Sequence, residues 1–156
     1  MHPIRRTAPV TVAALILAVT LTACGAGTQS PAHHESRTKK AAGIGPVSIV
    51  CNKDMWTDTR PDDLKKVTTT PADGERGRRG MVRVTLTGAQ LVTYYNQLDR
   101  DAHPGWDGAQ RPDQEAVSGR VYDALTTAID KATKARSSAD PAPEIVIDDT
   151  LATQAP

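Results

Sequence analysis

The stretch Met81-Val82-Arg83-Val84-Thr85-Leu86-Thr87-Gly88-Ala89-Gln90 changes its period half-way along and decides the fold. Residues 81–86 alternate, with Val82, Val84 and Leu86 on one face and Arg83 and Thr85 on the other, the pattern of a half-buried strand. Thr87 and Gln90 then stand at the spacing of a capping box, in which the Thr hydroxyl accepts from the N3 amide and the Gln side chain reaches back. Leu91, Tyr94, Tyr95 and Leu98 follow at helical spacing, and Pro104-Gly105 closes the run. A helix is predicted over about 88–102.

A second helix is predicted over about 112–136. Pro112 suits its first turn, Val117, Val121, Leu125, Ala128, Ile129 and Ala132 make one apolar stripe, and Lys131, Lys134 and Arg136 favour its C-terminal end. Val47, Ile49 and Cys51 would share one side of a short strand at 47–51, and 144–147 reads as another. Asn52-Lys53-Asp54 reads as a turn, residues 62–66 as one helical turn after Pro61, and Trp56 as a cap on the core. The class is therefore α+β: a small domain over 46–149 with two packed helices and a few short strands. A polar loop is expected at 57–80 and a loose tail at 150–156.

The totals bound the answer. The chain of 156 residues carries 19 Lys+Arg against 18 Asp+Glu, so no global charge favours nucleic acid. Aromatic residues are 3% with no Phe, so a core must come from Val, Leu, Ile and Ala. Such a core is modest, which points to a small folded unit with unstructured chain around it.

The N-terminus has its own logic. Arg5 and Arg6 precede an apolar run over 10–21, and Leu21-Thr22-Ala23-Cys24 ends it: charged head, apolar middle, small residues before a cut. The run falls short of the roughly 20 apolar residues of a membrane span. The tetrapeptide resembles the lipobox of bacterial lipoproteins. That resemblance implies removal of 1–23, a diacylglycerol on the Cys24 thiol, and a lipid anchor holding the protein on the extracytoplasmic face of the cell membrane. Two acyl chains give stable attachment where one is marginal. Residues 24–45, polar and without apolar periodicity, read as a flexible tether spanning about 25 Å. A lipidated Cys24 leaves Cys51 no internal disulfide partner, and its apolar setting marks it as a small buried hydrophobe.

Few residues suggest chemistry. Asp99, Asp101, His103, Trp106 and Asp107 cluster between the two helices and make the best ligand-binding candidate. Their spacing follows an EF-hand loop until Pro104 stands where Gly is required and Gln110 where Glu is, so no metal site is assigned. His103 beside a carboxylate suits acid–base chemistry, but no nucleophile motif accompanies it. Arg76, Arg78 and Arg79 in a Gly-rich loop are a candidate anion clamp, without a Walker pattern. His33-His34-Glu35 reads as solvated tether. Ser36-Arg37-Thr38-Lys39 matches Ser-x-x-Lys but lacks the companion elements of the penicillin-recognising enzymes. No cofactor motif is present. The expectation is a non-catalytic envelope module binding a protein or wall component. The alternative is a small-ligand or ion-binding accessory, for example of a transporter, that uses the turn at 99–108. A weaker third is a hydrolase centred on His103.

Overall fold

In the computed structural model, residues 30–72, 80–105, 112–132 and 142–147 are described. The period change falls where the sequence puts it. Strand β3 (Met81–Leu86) runs into helix α3 (Gly88–Ala102), with Thr87 between them as N-cap and the capping box with Gln90 complete in both directions. These labels follow chain order: α1 (His34–Gly43), β1 (Val47–Asn52), α2 (Lys53–Thr59), a 3-10 turn (Asp62–Leu64), β2 (Thr69–Pro71), β3, α3, α4 (Pro112–Lys131) and β4 (Glu144–Val146).

The fold is α+β. Four strands make one mixed sheet in the order β2-β3-β1-β4. β1 lies antiparallel to β3 with Ile49 opposite Val84, and parallel to β4 with Ile49 opposite Ile145. Val47, Ile49, Cys51, Val84 and Leu86 face the helices and join Leu91, Tyr94, Tyr95, Leu98, Val121, Leu125 and Ile129 in the core. On the other face Arg83 donates to Glu144 across β1 at 3.0 and 3.1 Å. Cys51 is a buried thiol of the core, as its setting suggests.

Three expectations need correction. Residues 34–43, read as part of a flexible tether, form α1, which packs on α3 and α4. Its inward residues, His34, Arg37, Thr38 and Ala41, are small or polar, and they dock through hydrogen bonds and one small contact. A search for apolar periodicity misses such a face. Gly45, at φ 87, then turns the chain into β1. Asn52-Lys53-Asp54 is not a turn but the start of α2: the Asn52 side chain caps the helix by accepting from the Asp54 amide at 2.8 Å. The polar loop at 57–80 holds the end of α2, the 3-10 turn and β2, while 73–79 lie outside the described residues.

α2 brings Trp56 to 1% exposure, edge-on to Tyr94 at 5.1 Å, so Trp56 is a core residue. α4 ends at Lys131 among the described residues, and 133–136 lie outside them. Its buried face is Ser118, Val121, Tyr122, Leu125 and Ile129, wider than the apolar stripe because α1 covers the flank that carries Tyr122. No helix among the described residues is long and apolar enough to cross a membrane.

Candidate functional site

The last turn of α3 carries a buried carboxylate. Asp99 is 4% exposed, on the flank of α3 that also bears Tyr95 and Ala102. A buried carboxylate must be paired or hydrogen-bonded, and Asp99 is surrounded. Ser30, just before α1, donates its hydroxyl to Oδ2. His103, the C-cap of α3, places Nδ1 3.0 Å from Asp99 Oδ1 and 3.1 Å from the Asp99 carbonyl oxygen. A carbonyl oxygen only accepts, so Nδ1 carries the hydrogen.

His34 closes the cluster from α1. Its Nε2 lies 3.0 Å from Asn96 Oδ1 and 3.7 Å from Asp99 Oδ2, and its Nδ1 lies 2.9 Å from the Tyr122 hydroxyl. Burial pushes the Tyr122 phenol above its ordinary range, with the Tyr95 hydroxyl and Asp99 adding to the shift. Nε2 of His34 faces two acceptor oxygens, Asn96 Oδ1 and Asp99 Oδ2, so it carries the hydrogen and donates to Asn96, and Nδ1 accepts from the Tyr122 hydroxyl. The rings stack as well: His34 on Tyr95 at 4.9 Å, and Tyr95 on Tyr122 at 4.7 Å, with the Tyr95 and Thr126 hydroxyls 2.8 Å apart. His103 meets Tyr122 edge-on at 5.2 Å.

Chemically this is a carboxylate–imidazole pair joined to a three-ring stack. His103 is one-third exposed, and the Asp99 carboxylate orients its ring as a general base would require. The Ser30 hydroxyl is spent on Asp99. Among the described residues no group of three His, Cys, Asp or Glu side chains could hold a metal ion. The bonds run between α1, α3 and α4, so the cluster works as a clamp that makes α1 part of the domain.

The candidates from the sequence separate. Asp99 and His103 come together. Asp101 does not join them: it lies in α3 and accepts from Gln97 at 2.8 and 3.0 Å. Positions two apart on a helix diverge by about 200°, so an EF-hand count cannot run through 99–102. Trp106, Asp107, the triad Arg76, Arg78 and Arg79, and Cys24 all lie outside the described residues. Sequence reasoning missed Ser30, His34, Asn96 and Tyr122. The available signal was helical spacing: His34, Thr38 and Ala41 on one side of α1, and Ser118, Tyr122, Leu125 and Ile129 on α4.

Comparison with models of known protein families, with curated proteins and with solved structures finds no match to this chain. The chemistry must be argued from its own residues.

Among the described residues, concave features adjoin the core. A cleft of about 270 Å³ opens where the end of α1 meets β1, α3, α4 and β4, walled by Ile44, Val47, Leu91, Ile129 and Ile145, with Lys131 beside them. A more polar one of about 300 Å³ lies between α2 and α4, against Asp58, Thr59, Asp113 and Gln114. Trp56 Nε1 and Ser118 Oγ are buried without a hydrogen-bond partner among the described residues.

Proposed function

We propose that the protein is an exported lipoprotein, anchored through a diacylated Cys24, whose α+β domain is a binding module on the outer face of the cell membrane. The observation that carries this reading is Leu21-Thr22-Ala23-Cys24 at the end of an apolar run behind Arg5 and Arg6. The domain adds a geometric condition. Its described part begins at Ser30, and five residues separate that from Cys24. Fully extended at about 3.3–3.6 Å per residue, the chain from Cys24 to Ser30 reaches at most about 20 Å. The module would therefore stand against the head groups.

The binding role, rather than catalysis, is favoured by how Asp99 is used. Its two oxygens take hydrogen bonds from Ser30 and His103, and its neighbour His34 is bonded to Asn96 and Tyr122. The residues with chemical potential are committed to one another. A partner in the envelope, protein or wall polymer, remains the first reading. The cleft beside Lys131 favours a small-ligand role as the second.

The test is intact mass and membrane partition of the native protein beside Cys24→Ser. Loss of 1–23, a diacylglycerol mass and membrane retention, all abolished in the variant, are expected. A soluble native protein with an unmodified Cys24 overturns the reading.

A further inference from the structure

We propose that the cleft between α1, α4 and β4 is a binding site for a medium-chain fatty acid, with its carboxylate on Lys131. This inference rests on the domain being a binding module, and is independent of the anchor. Ile44, Val47, Leu91, Ile129 and Ile145 give walls that offer a ligand little but apolar contact, which selects a hydrocarbon chain. Size narrows the class. A dry apolar cavity of about 150 Å³ takes one benzene ring, so a space of about 270 Å³ suits an acyl chain of about ten carbons rather than a long-chain lipid.

Charge fixes the head group. Lys131 and Glu144 are the charged residues on the cleft. The Glu144 carboxylate is held across the sheet by Arg83 at 3.0 and 3.1 Å. Among the described residues no carboxylate lies within ion-pair distance of the Lys131 ammonium. An apolar slot beside an ammonium that has no carboxylate partner among the described residues favours a chain that ends in an anion over one that ends in a hydroxyl or a cation.

The site is also pre-formed. Three of its walls are core residues of separate elements: Val47 of β1, Leu91 of α3 and Ile129 of α4 are each at most 2% exposed. Ala128, the smallest side chain of the α4 wall, leaves the space that the chain would fill.

The test uses the native protein, purified from membranes and reconstituted in phosphatidylcholine vesicles. The probe is decanoic acid carrying a diazirine and a terminal alkyne, and the matched alcohol serves as control. Photolysis should place adducts on the peptides that carry Ile44, Ile129 or Ile145, and unlabelled decanoate should compete them away. Lys131→Gln should lower labelling by the acid on the order of tenfold while leaving the alcohol unchanged. Ala128→Leu, which fills the cleft, should abolish both with the thermal unfolding midpoint retained. If Ala128→Leu fails to fold, the acid-against-alcohol comparison in Lys131→Gln still decides. Adducts elsewhere, no adducts, equal loss of acid and alcohol in Lys131→Gln, or cross-links between two copies at the cleft would each overturn the proposal. Should the protein leave the vesicles, the anchor reading fails, and labelling of the soluble protein reads the cleft unchanged.

Discussion

Gly88 sits so close to Ala42 that a β-carbon at position 88 would lie 2.5 Å from the Ala42 carbonyl oxygen. The obstacle is backbone, the last turn of α1 against the first turn of α3, so neither side can give by a change of rotamer. Gly88→Ala, which at an open helical position would stabilise, should here displace α1 and cost about 1–3 kcal/mol as overpacking does. Denaturant unfolding measures it, and hydrogen exchange should quicken first in 34–43. A gain in stability would show that α1 is not held where the structure puts it.

The polar clamp is expected to depend on His34. Removing it in His34→Ala takes the His34 hydrogen bond from the buried Tyr122 hydroxyl and leaves Asn96 with Thr38, at about 1–3 kcal/mol. Adding Tyr122→Phe should return part of that loss, since the group left unsatisfied is then gone. A double-mutant cycle in urea reads the coupling. Additive losses would mean that the two side chains do not act together.

Acid should loosen α1 through Arg37 and Asp130. The guanidinium donates to the Asp130 carboxylate at 2.8–3.1 Å and holds its pKa below the ordinary carboxylate range. A depressed carboxylate pKa contributes stability that is present above the unfolded value, near pH 4. That contribution is lost as the pH falls through the folded value. Because the pair is solvent-exposed, the effect is small and salt-sensitive. Exchange of the α1 amides below pH 4 should accelerate in the native protein more than in Asp130→Asn. Equal acceleration would remove the pair from the account.

Beneath α2, Thr59 and Tyr94 should show an asymmetry. The Thr59 hydroxyl donates to the Met55 carbonyl at 2.8 Å, which leaves its oxygen to accept from Tyr94 at 2.6 Å. Thr59→Val orphans a buried phenol and should cost about 1–3 kcal/mol, whereas Tyr94→Phe leaves Thr59 bonded and should cost about 1 kcal/mol or less. Burial also raises the Tyr94 pKa well above its ordinary value. Above about pH 10 the unfolded chain alone ionises there, so stability should fall with rising pH, and less in Tyr94→Phe. Equal costs for the two substitutions would place the hydrogen bond elsewhere.

What could be read in advance depended on whether a segment docks through apolar side chains. Strand β3, helix α3 and the inward face of β1 do, and Val82, Val84, Leu86, Leu91 and Leu98 announce it by spacing alone. The helix α1 does not. His34, Arg37 and Thr38 sit in a stretch whose composition matches a linker, and partners 58 to 93 residues away, Tyr122 for His34, Asp130 for Arg37 and Asn96 for Thr38, give them a reason to be ordered. The clamp was legible for the same reason only in part. Asp99 and His103 are one helical turn apart and visible together, whereas His34 and Ser30 reach them through tertiary structure. The cleft, made by five separate elements, has no local signature.

The position of β4 fixes when the domain can be completed. β1, near the start of the folded chain, lies between β3 and β4, and its parallel neighbour is the last strand, with Ile147 donating to the Val50 carbonyl at 2.8 Å. A chain that emerges from its N-terminus therefore shows an open edge of β1 until residues 144–147 have appeared. The same holds for α1, whose clamp waits on α3 and α4. Truncation after α4 would complete the α1 clamp but leave the β1 edge of the sheet open, and nascent chains of that length should be shielded by other proteins until residue 147 is out.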